Sequence, residues 1–593
     1  MSPASRRIWA ALARAGQIAS NAVLWLADRL ATRTAASVLL AMFLALFAIE
    51  GLLGVDFGSH WDEWYHIQGV SGCIQRMSLM PDGLSYGGPY FTMGFPVVIA
   101  HQWHNLLAIL REMRTQPFRV DPAAFPSVAK FKAEATALVN TPQYVLEVRS
   151  VFVVVTTLTL LWMFLASTRV SPRRWGVALA TAAFMAFSWE LGYHARWIAI
   201  DAPLTQFSAL ELFLFCAAWR APSDGPAVRW YCAAAAAAGA VFACKLTGVF
   251  AYLPIPLLPL VRRSSWRPLR RVAMAALGTA LFVLCSFALS PEFYLDPLHL
   301  LNVFRSGSAD YNSTGTTYPF YVGLWEHVWR MMMWLFLVVP SPYLIIAIMF
   351  SVVILVGLAR LLRRETRMTL SWTAFLVAFI AVFTHNHLLI VRQYLMCTPL
   401  LALCFGQGCA TIWDFFRQRD RRLAAGFIIL LVFAFVLNGA FELGHAWRIT
   451  RETQATMDHD LASDLMSDRA PVRMSRPVYD RVRPLISGGY DCHPSDVKDK
   501  TIPHFIAYAM ECEWPSNRLY VFRKVYGADE INMNFYSFWL GRVHSLRMVD
   551  VNMETMVKFG REMSVDIDCF PKGYVSPRGS QDGAAGAGGG GHK

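Results

Sequence analysis

The sequence predicts a polytopic α-helical membrane protein of about eleven transmembrane helices, with a small α/β domain outside. Three observations carry this reading. The chain is 55% apolar and only 16% charged, with a mean hydropathy of +0.37, whereas soluble domains carry about 25% charged residues. Apolar runs of roughly 18 residues or more recur along it, each long enough to span a bilayer. Arginines gather in alternate loops between these runs, as cytoplasmic loops require. Those loops account for the net charge of +13, so no nucleic-acid partner is implied.

Taken in order, residues 1–33 hold Arg6, Arg7, Arg14, Arg29 and Arg33, which places this end inside. Arg14 and Asp28 interrupt its apolar content, so it does not read as a cleavable signal. An amphipathic helix on the cytoplasmic membrane surface fits it. The membrane part covers residues 34–441, and its first span is Thr34 to Val55. A long outside loop follows at 56–141. Within it, Pro89 to Leu110 is apolar but contains Pro96, His101, Gln102, His104 and Asn105. A helix lying in the interface is expected there, because another crossing would invert every later loop.

Spans two to seven are expected near Val145–Ser167, Trp175–Trp189, Ala202–Trp219, Trp230–Ala243, Thr247–Val261 and Val272–Leu289. Span eight is broken by Pro340 and Pro342 and ends at Arg360. Spans nine to eleven fall near Met368–Phe383, Leu388–Ile412 and Leu423–Phe441. The loops assigned to the inside carry the arginines, among them Arg173, Arg174, Arg262, Arg363 and Arg421. Residues 442–575 read as the outside domain, with Cys492 and Cys512 as candidates for a disulfide that sequence alone cannot assign. The Gly/Ala-rich tail, 576–593, has a composition that buries no core.

On this topology the unusual polar residues collect at the outer face. His60, Asp62, Glu63 and His66 leave span one. His194, Arg196 and Asp201 lie between spans three and four, and Lys245 between five and six. Tyr311, Asn312 and Tyr318 follow span seven. His385, His387, Arg392 and Tyr394 lie between nine and ten. Each has a plainer reading alone. Asp201 suits a helix N-cap, Arg196 and Lys245 suit snorkelling to headgroups, and histidines and tyrosines belong at interfaces. Together they are harder to dismiss, because ionisable groups at membrane depth are costly and mark function. Carboxylates suit general-base work or metal binding. Arg, Lys and Tyr suit a phosphate. A phosphate-bearing lipid at the outer interface is the substrate class these residues fit.

Four segments then carry a resemblance. They are Asp62-Glu63-Trp64-Tyr65 after span one, Ala195-Arg196-Trp197-Ile198-Ala199-Ile200-Asp201 opening span four, Lys245-Leu246-Thr247-Gly248 before a Pro-rich span, and Arg392-Gln393-Tyr394-Leu395 ahead of Pro399. In this order, over residues 35–412, the chain resembles the GT-C superfamily of integral membrane glycosyltransferases, in the branch of protein O-mannosyltransferases and the lipid A aminoarabinose transferase. The resemblance implies transfer of a sugar from a polyprenyl-phosphate donor to a glycan, lipid or protein acceptor. The site would face the periplasm across the bacterial cytoplasmic (inner) membrane. Asp62 would be the general base, with Glu63 and Asp201 orienting the acceptor, tuning Asp62 or helping to hold a metal. Lys245, Arg392, Tyr394 and Arg196 would bind the donor phosphate. A divalent metal is a candidate cofactor, with Asp62, His60, His66, His385 and His387 as candidate ligands. A transporter or flippase of a lipid-linked sugar is the alternative. A scaffold that binds partners through its outer domain would leave the acidic pair unexplained.

Overall fold

The computed structural model describes most of residues 3–449. Residues 54, 56–60, 81–85, 116–124, 263–266, 299–300, 303–304, 306–323 and 386–390 lie outside the described part. Beyond 449 only short pieces between 459 and 506 are described.

The protein is a bundle of long apolar helices. Among the described residues, nine helices are long and apolar enough to cross a membrane. Those that matter below are α2 (Arg33–Leu52), α7 (Pro142–Val170), α10 (Asp201–Trp219), α11 (Asp224–Cys244) and α13 (Pro268–Leu289). The expected third and sixth spans fall on shorter apolar helices, α8 (Trp175–Ala186) and the stretch Leu246–Val261. The broken eighth span is two pieces. α15 (Leu324–Met333) runs into one wide π-helical turn, Trp334–Val338, and α16 (Leu344–Arg364) starts after Pro340 and Pro342. α17 (Thr366–His385), α18 (Thr398–Arg419) and α19 (Arg421–Ile449) complete the bundle.

Local sequence sets the helix starts. The Thr32 hydroxyl accepts from the Ala35 N–H at 3.4 Å and the Thr141 hydroxyl from Tyr144 at 3.2 Å, which satisfies donors that have no partner inside the helix. Pro142, Pro268 and Pro399 occupy first turns, where the missing N–H costs nothing. Close helix contact uses glycine. A Cβ on Gly357 of α16 would lie 1.7 Å from the Cys404 carbonyl, and one on Gly408 of α18 would lie 1.9 Å from the Val353 carbonyl. In lipid, such small residues let backbones approach where hydrophobicity gives no drive.

Breaks in the helices position the site. α11 stops at Lys245, whose backbone is extended (φ −156°, ψ 140°), and a 3-10 turn, Leu246–Tyr252, follows. Gly248 is required there, because a Cβ would sit 2.3 Å from the Val241 carbonyl. α9 (Trp189–Ala195) stops before Arg196, and α10 begins at Asp201. A second 3-10 turn, Val391–Cys397, carries Arg392 and Tyr394 into α18.

The loop expected outside, 56–141, carries four helices among its described residues: α3 (Trp61–Arg76), α4 (Gly88–Thr92), α5 (Phe95–Thr115) and α6 (Pro126–Val139). The apolar stretch from Pro89 to Leu110 is not among the nine spanning helices. It kinks at Gln102 and buries Gln102 and Asn105, and the Asn105 amide donates to Gln102 at 2.6 Å and to Glu134 at 2.7 Å. The N-terminal segment is one helix, α1 (Pro3–Leu30), with Leu24 packed on Ala424 and Ala425 of α19. In the C-terminal part, the strand Val472–Met474 lies parallel between Cys492–Pro494 and His504–Ile506. Cys512 and the tail 576–593 lie outside the described residues.

Candidate functional site

Three of the expected residues meet. Asp201 opens α10, and its Oδ1 accepts from the Lys245 ammonium at 2.8 Å. Its Oδ2 accepts from Arg392 Nε at 3.0 Å. The side chains are only 2%, 10% and 4% exposed, in that order, so the pairs are nearly dry and weakly screened. One carboxylate between two cations leaves the triplet with one net positive charge. The Tyr86 ring lies 5.7 Å from Lys245 Nζ, within cation–π range. Tyr86 also packs on Tyr90 at 4.8 Å and edge-on to Tyr65 of α3 at 6.3 Å. Asp62 stands three residues before Tyr65 on α3. Its side chain lies outside the described part, as do those of His60, His385 and His387 and the loop holding Tyr311, Asn312 and Tyr318.

Tyr394 turns elsewhere. Two residues after Arg392 on the same turn, its hydroxyl bonds His327 Nε2 at 2.7 Å. Both are buried, and Tyr394 packs against Phe379 and Phe383.

Glu63 is clamped. Arg149 Nε donates to its Oε1 at 2.6 Å and Nη2 to its Oε2 at 2.7 Å. This is the two-pronged fork that suits guanidinium to carboxylate. Arg149 Nη1 also donates to the Val55 carbonyl at 2.6 Å, and its guanidinium lies 4.8 Å from the Trp197 ring. The Ile198 N–H points at Glu63 Oε1 from 3.5 Å. One ion pair therefore ties the end of α2, the start of α3, α7 and the 196–200 stretch together.

Arg196 sits near two buried carboxyl groups, Glu50 of α2 and Glu442 of α19. Arg196 thus belongs to the junction of α2, α9 and α19. His194 pairs with Glu190 at 3.3 Å.

His66 is fully buried. Its Nε2 bonds the Tyr144 hydroxyl at 3.2 Å, and Tyr90, Phe91 and Phe152 enclose the ring. Burial holds its pKa down at about 3, so it is a neutral imidazole in an aromatic box. Among the described residues, no group of three or more His, Cys, Asp or Glu side chains is arranged to hold a metal ion. His66 does not fit the ligand role considered for it.

Arg149, His327, Glu50, Glu442 and Tyr86 were not anticipated. Arg149 stands in an apolar run and Glu50 at the end of another, and an ionisable residue there is itself the signal that would have found them.

No protein-family model matches the chain, and no curated protein matches it. Solved structures do. The chain is similar to ArnT from Cupriavidus metallidurans bound to undecaprenyl phosphate, with 14% identity and a TM-score of 0.45 over 79% of this chain and 87% of that one. The apo form of that protein gives 12% and 0.44, over 76% and 85%. The Archaeoglobus fulgidus oligosaccharyltransferase, in complex with Zn and sulfate, gives 11% and 0.39 over 76% and 62%. The roles assigned below rest on its own residues.

Proposed function

We propose that this integral membrane protein is a glycosyltransferase that moves a sugar from a polyprenyl-phosphate donor to an acceptor at the outer face of the membrane. The observation that carries the reading is the buried Asp201–Lys245–Arg392 triplet, at 2.8 and 3.0 Å, joined through Tyr86 and Tyr65 to the helix that bears Asp62. A site with one net positive charge, screened from water, suits a leaving phosphate.

In the step we infer, the Asp62 carboxylate takes the proton of an acceptor hydroxyl. The freed oxygen attacks the anomeric carbon. The bond from that carbon to the phosphate oxygen breaks, and its electrons stay on the phosphate. Lys245 and Arg392 neutralise that charge. Asp201 is their counter-ion and positions them. Glu63, with both oxygens engaged by Arg149, fixes the start of α3 and so the backbone of Asp62. The donor class is that of the lipid in the Cupriavidus metallidurans ArnT structure.

The test is Asp62→Asn in membranes supplied with a polyprenyl-phosphate sugar. Transfer is expected to fall by about 10²–10⁴-fold, the usual worth of a positioned acid or base, with protein level unchanged. Full transfer by that variant removes the general base from the reading.

A further inference from the structure

At the opposite end of the bundle from the ion triplet lies a cavity of about 350 Å³. Its walls come from α1, the start of α8, the end of α18 and the start of α19. The floor is apolar, with Ala180, Cys409, Ala410, Phe427 and Leu431. The rim is charged, with Arg173, Arg174, Arg417, Asp28 and Asp414. Both rim carboxylates are already neutralised. Asp414 accepts from Arg174 at 2.8 Å and from Arg360 at 3.5 Å. Asp28 accepts two bonds from Arg417, at 3.3 and 3.2 Å.

Arg173 differs from the other rim cations. Among the described residues it makes no hydrogen bond or ion pair, and its side chain is exposed at the mouth. Its backbone is left-handed, with φ 64°, a conformation that residues with a Cβ adopt at a cost. Trp175 and Trp413 also line the cavity, and tryptophan is enriched at headgroup level. The outer wall, α1, exposes Trp25, Leu26 and Leu30, an apolar face of the kind that suits a membrane interface.

We propose that this cavity binds one anionic phospholipid from the leaflet into which the arginine-rich loops project. The phosphate meets Arg173 at the rim, and the first part of an acyl chain fills the floor between α8 and α18. Charge and shape select this occupant together. A free phosphate leaves the apolar floor unfilled, and a zwitterionic lipid brings a headgroup cation that opposes the Arg173 guanidinium.

The test uses the full chain in detergent, titrated with phosphatidylglycerol or with phosphatidylcholine of identical chains, and native mass spectrometry to count retained lipid. The wild type is expected to keep one phosphatidylglycerol in preference to phosphatidylcholine. Arg173→Gly removes the cation and also relieves the left-handed backbone, so its unfolding temperature without lipid is expected to hold or rise. Its phosphatidylglycerol retention should fall about fivefold, from about 1 kcal/mol per basic residue at an anionic surface. Ala410→Phe fills the floor with the charges intact and should also lose retention. Should that variant not fold, Arg173→Gly decides alone. Equal retention of the two lipids, or unchanged retention in Arg173→Gly, overturns the site. Displacement of the lipid by inorganic phosphate alone overturns the acyl anchoring.

Discussion

Replacing Arg149 with leucine should be among the most damaging changes that leave Asp62, Asp201, Lys245 and Arg392 untouched. Among the described residues the guanidinium makes hydrogen bonds at 2.6, 2.7 and 2.6 Å, two of them to Glu63. The paired side chains are 3% and 7% exposed. Leucine removes the cation and leaves the Glu63 carboxylate in a site with almost no water. Stripping one partner from a buried ion pair costs about 3–5 kcal/mol, because the other charge stays uncompensated. The pair as a whole is worth far less than that, since desolvation offsets most of its attraction. The double variant Arg149→Leu with Glu63→Leu should therefore regain much of the loss. Reversible unfolding in a detergent titration gives all four corners of the cycle. Sugar transfer adds a second reading, because Glu63 is adjacent to Asp62 on α3, and a shift of about 1 Å at a reacting group can cost 10²-fold. A single variant within about 1 kcal/mol of wild type, or a double variant no more stable than either single one, would refute the clamp.

Two further outcomes are expected. Asp201→Asn takes away the counter-ion, raises the triplet from one net positive charge to two, and frees Lys245 and Arg392 to move; the product lipid phosphate should bind more tightly while transfer slows by about 10²-fold, and a variant with wild-type turnover and affinity would remove Asp201 from the site. His66 sets a pH dependence: burial keeps its folded pKa at about 3 against 6.5 when unfolded, so between these values the unfolded chain takes up the proton and the folded one does not. Stability should then fall as pH drops below 6.5, by at most about 1.4 kcal/mol per pH unit, and unfolding of wild type and His66→Phe at pH 7 and pH 5 should show a smaller loss for the variant.

The frame was legible because the bilayer imposes a coarse code. Runs such as Pro268–Leu289 must be long and apolar to cross, and the arginines between them mark one side. The triplet was legible in part. Lys245 and Arg392 read as cations for a phosphate, but nothing local ties either to Asp201, which is 44 and 191 residues away along the chain. Their pairing is a product of how α10, α11 and α18 pack. Arg149 shows a second limit. It sits in the first turns of a 29-residue helix, where hydropathy averaging conceals a single charge. Tyr394 shows a third. Spacing of two on a 3-10 turn sends neighbours to different sides, so a motif that reads as one binding element divides between Asp201 and His327. His66 read as a candidate metal ligand or an interface residue because the rings enclosing it come from α4 and α7, beyond the reach of any local pattern.

The three ionic residues owe their position to a shared device. Each stands where a membrane helix is interrupted: Asp201 after the break that follows α9, Lys245 at the extended end of α11, and Arg392 in the 3-10 turn before α18. Irregular backbone at membrane depth survives only when buried in protein or lining a cavity, so the breaks and the charges require the same enclosed place. The sign of the charge then bears on what the place does. A sugar on a lipid phosphate is a diester with about one negative charge, and the departing phosphate monoester carries about 1.5 to 2 at neutral pH. A triplet with one surplus positive charge attracts the phosphate more strongly as negative charge builds on it while the bond breaks. Only interactions that strengthen toward the transition state speed a reaction. A flippase moves a headgroup whose charge is the same at both ends of its path, and gains nothing from that difference. The triplet therefore favours chemistry over passage.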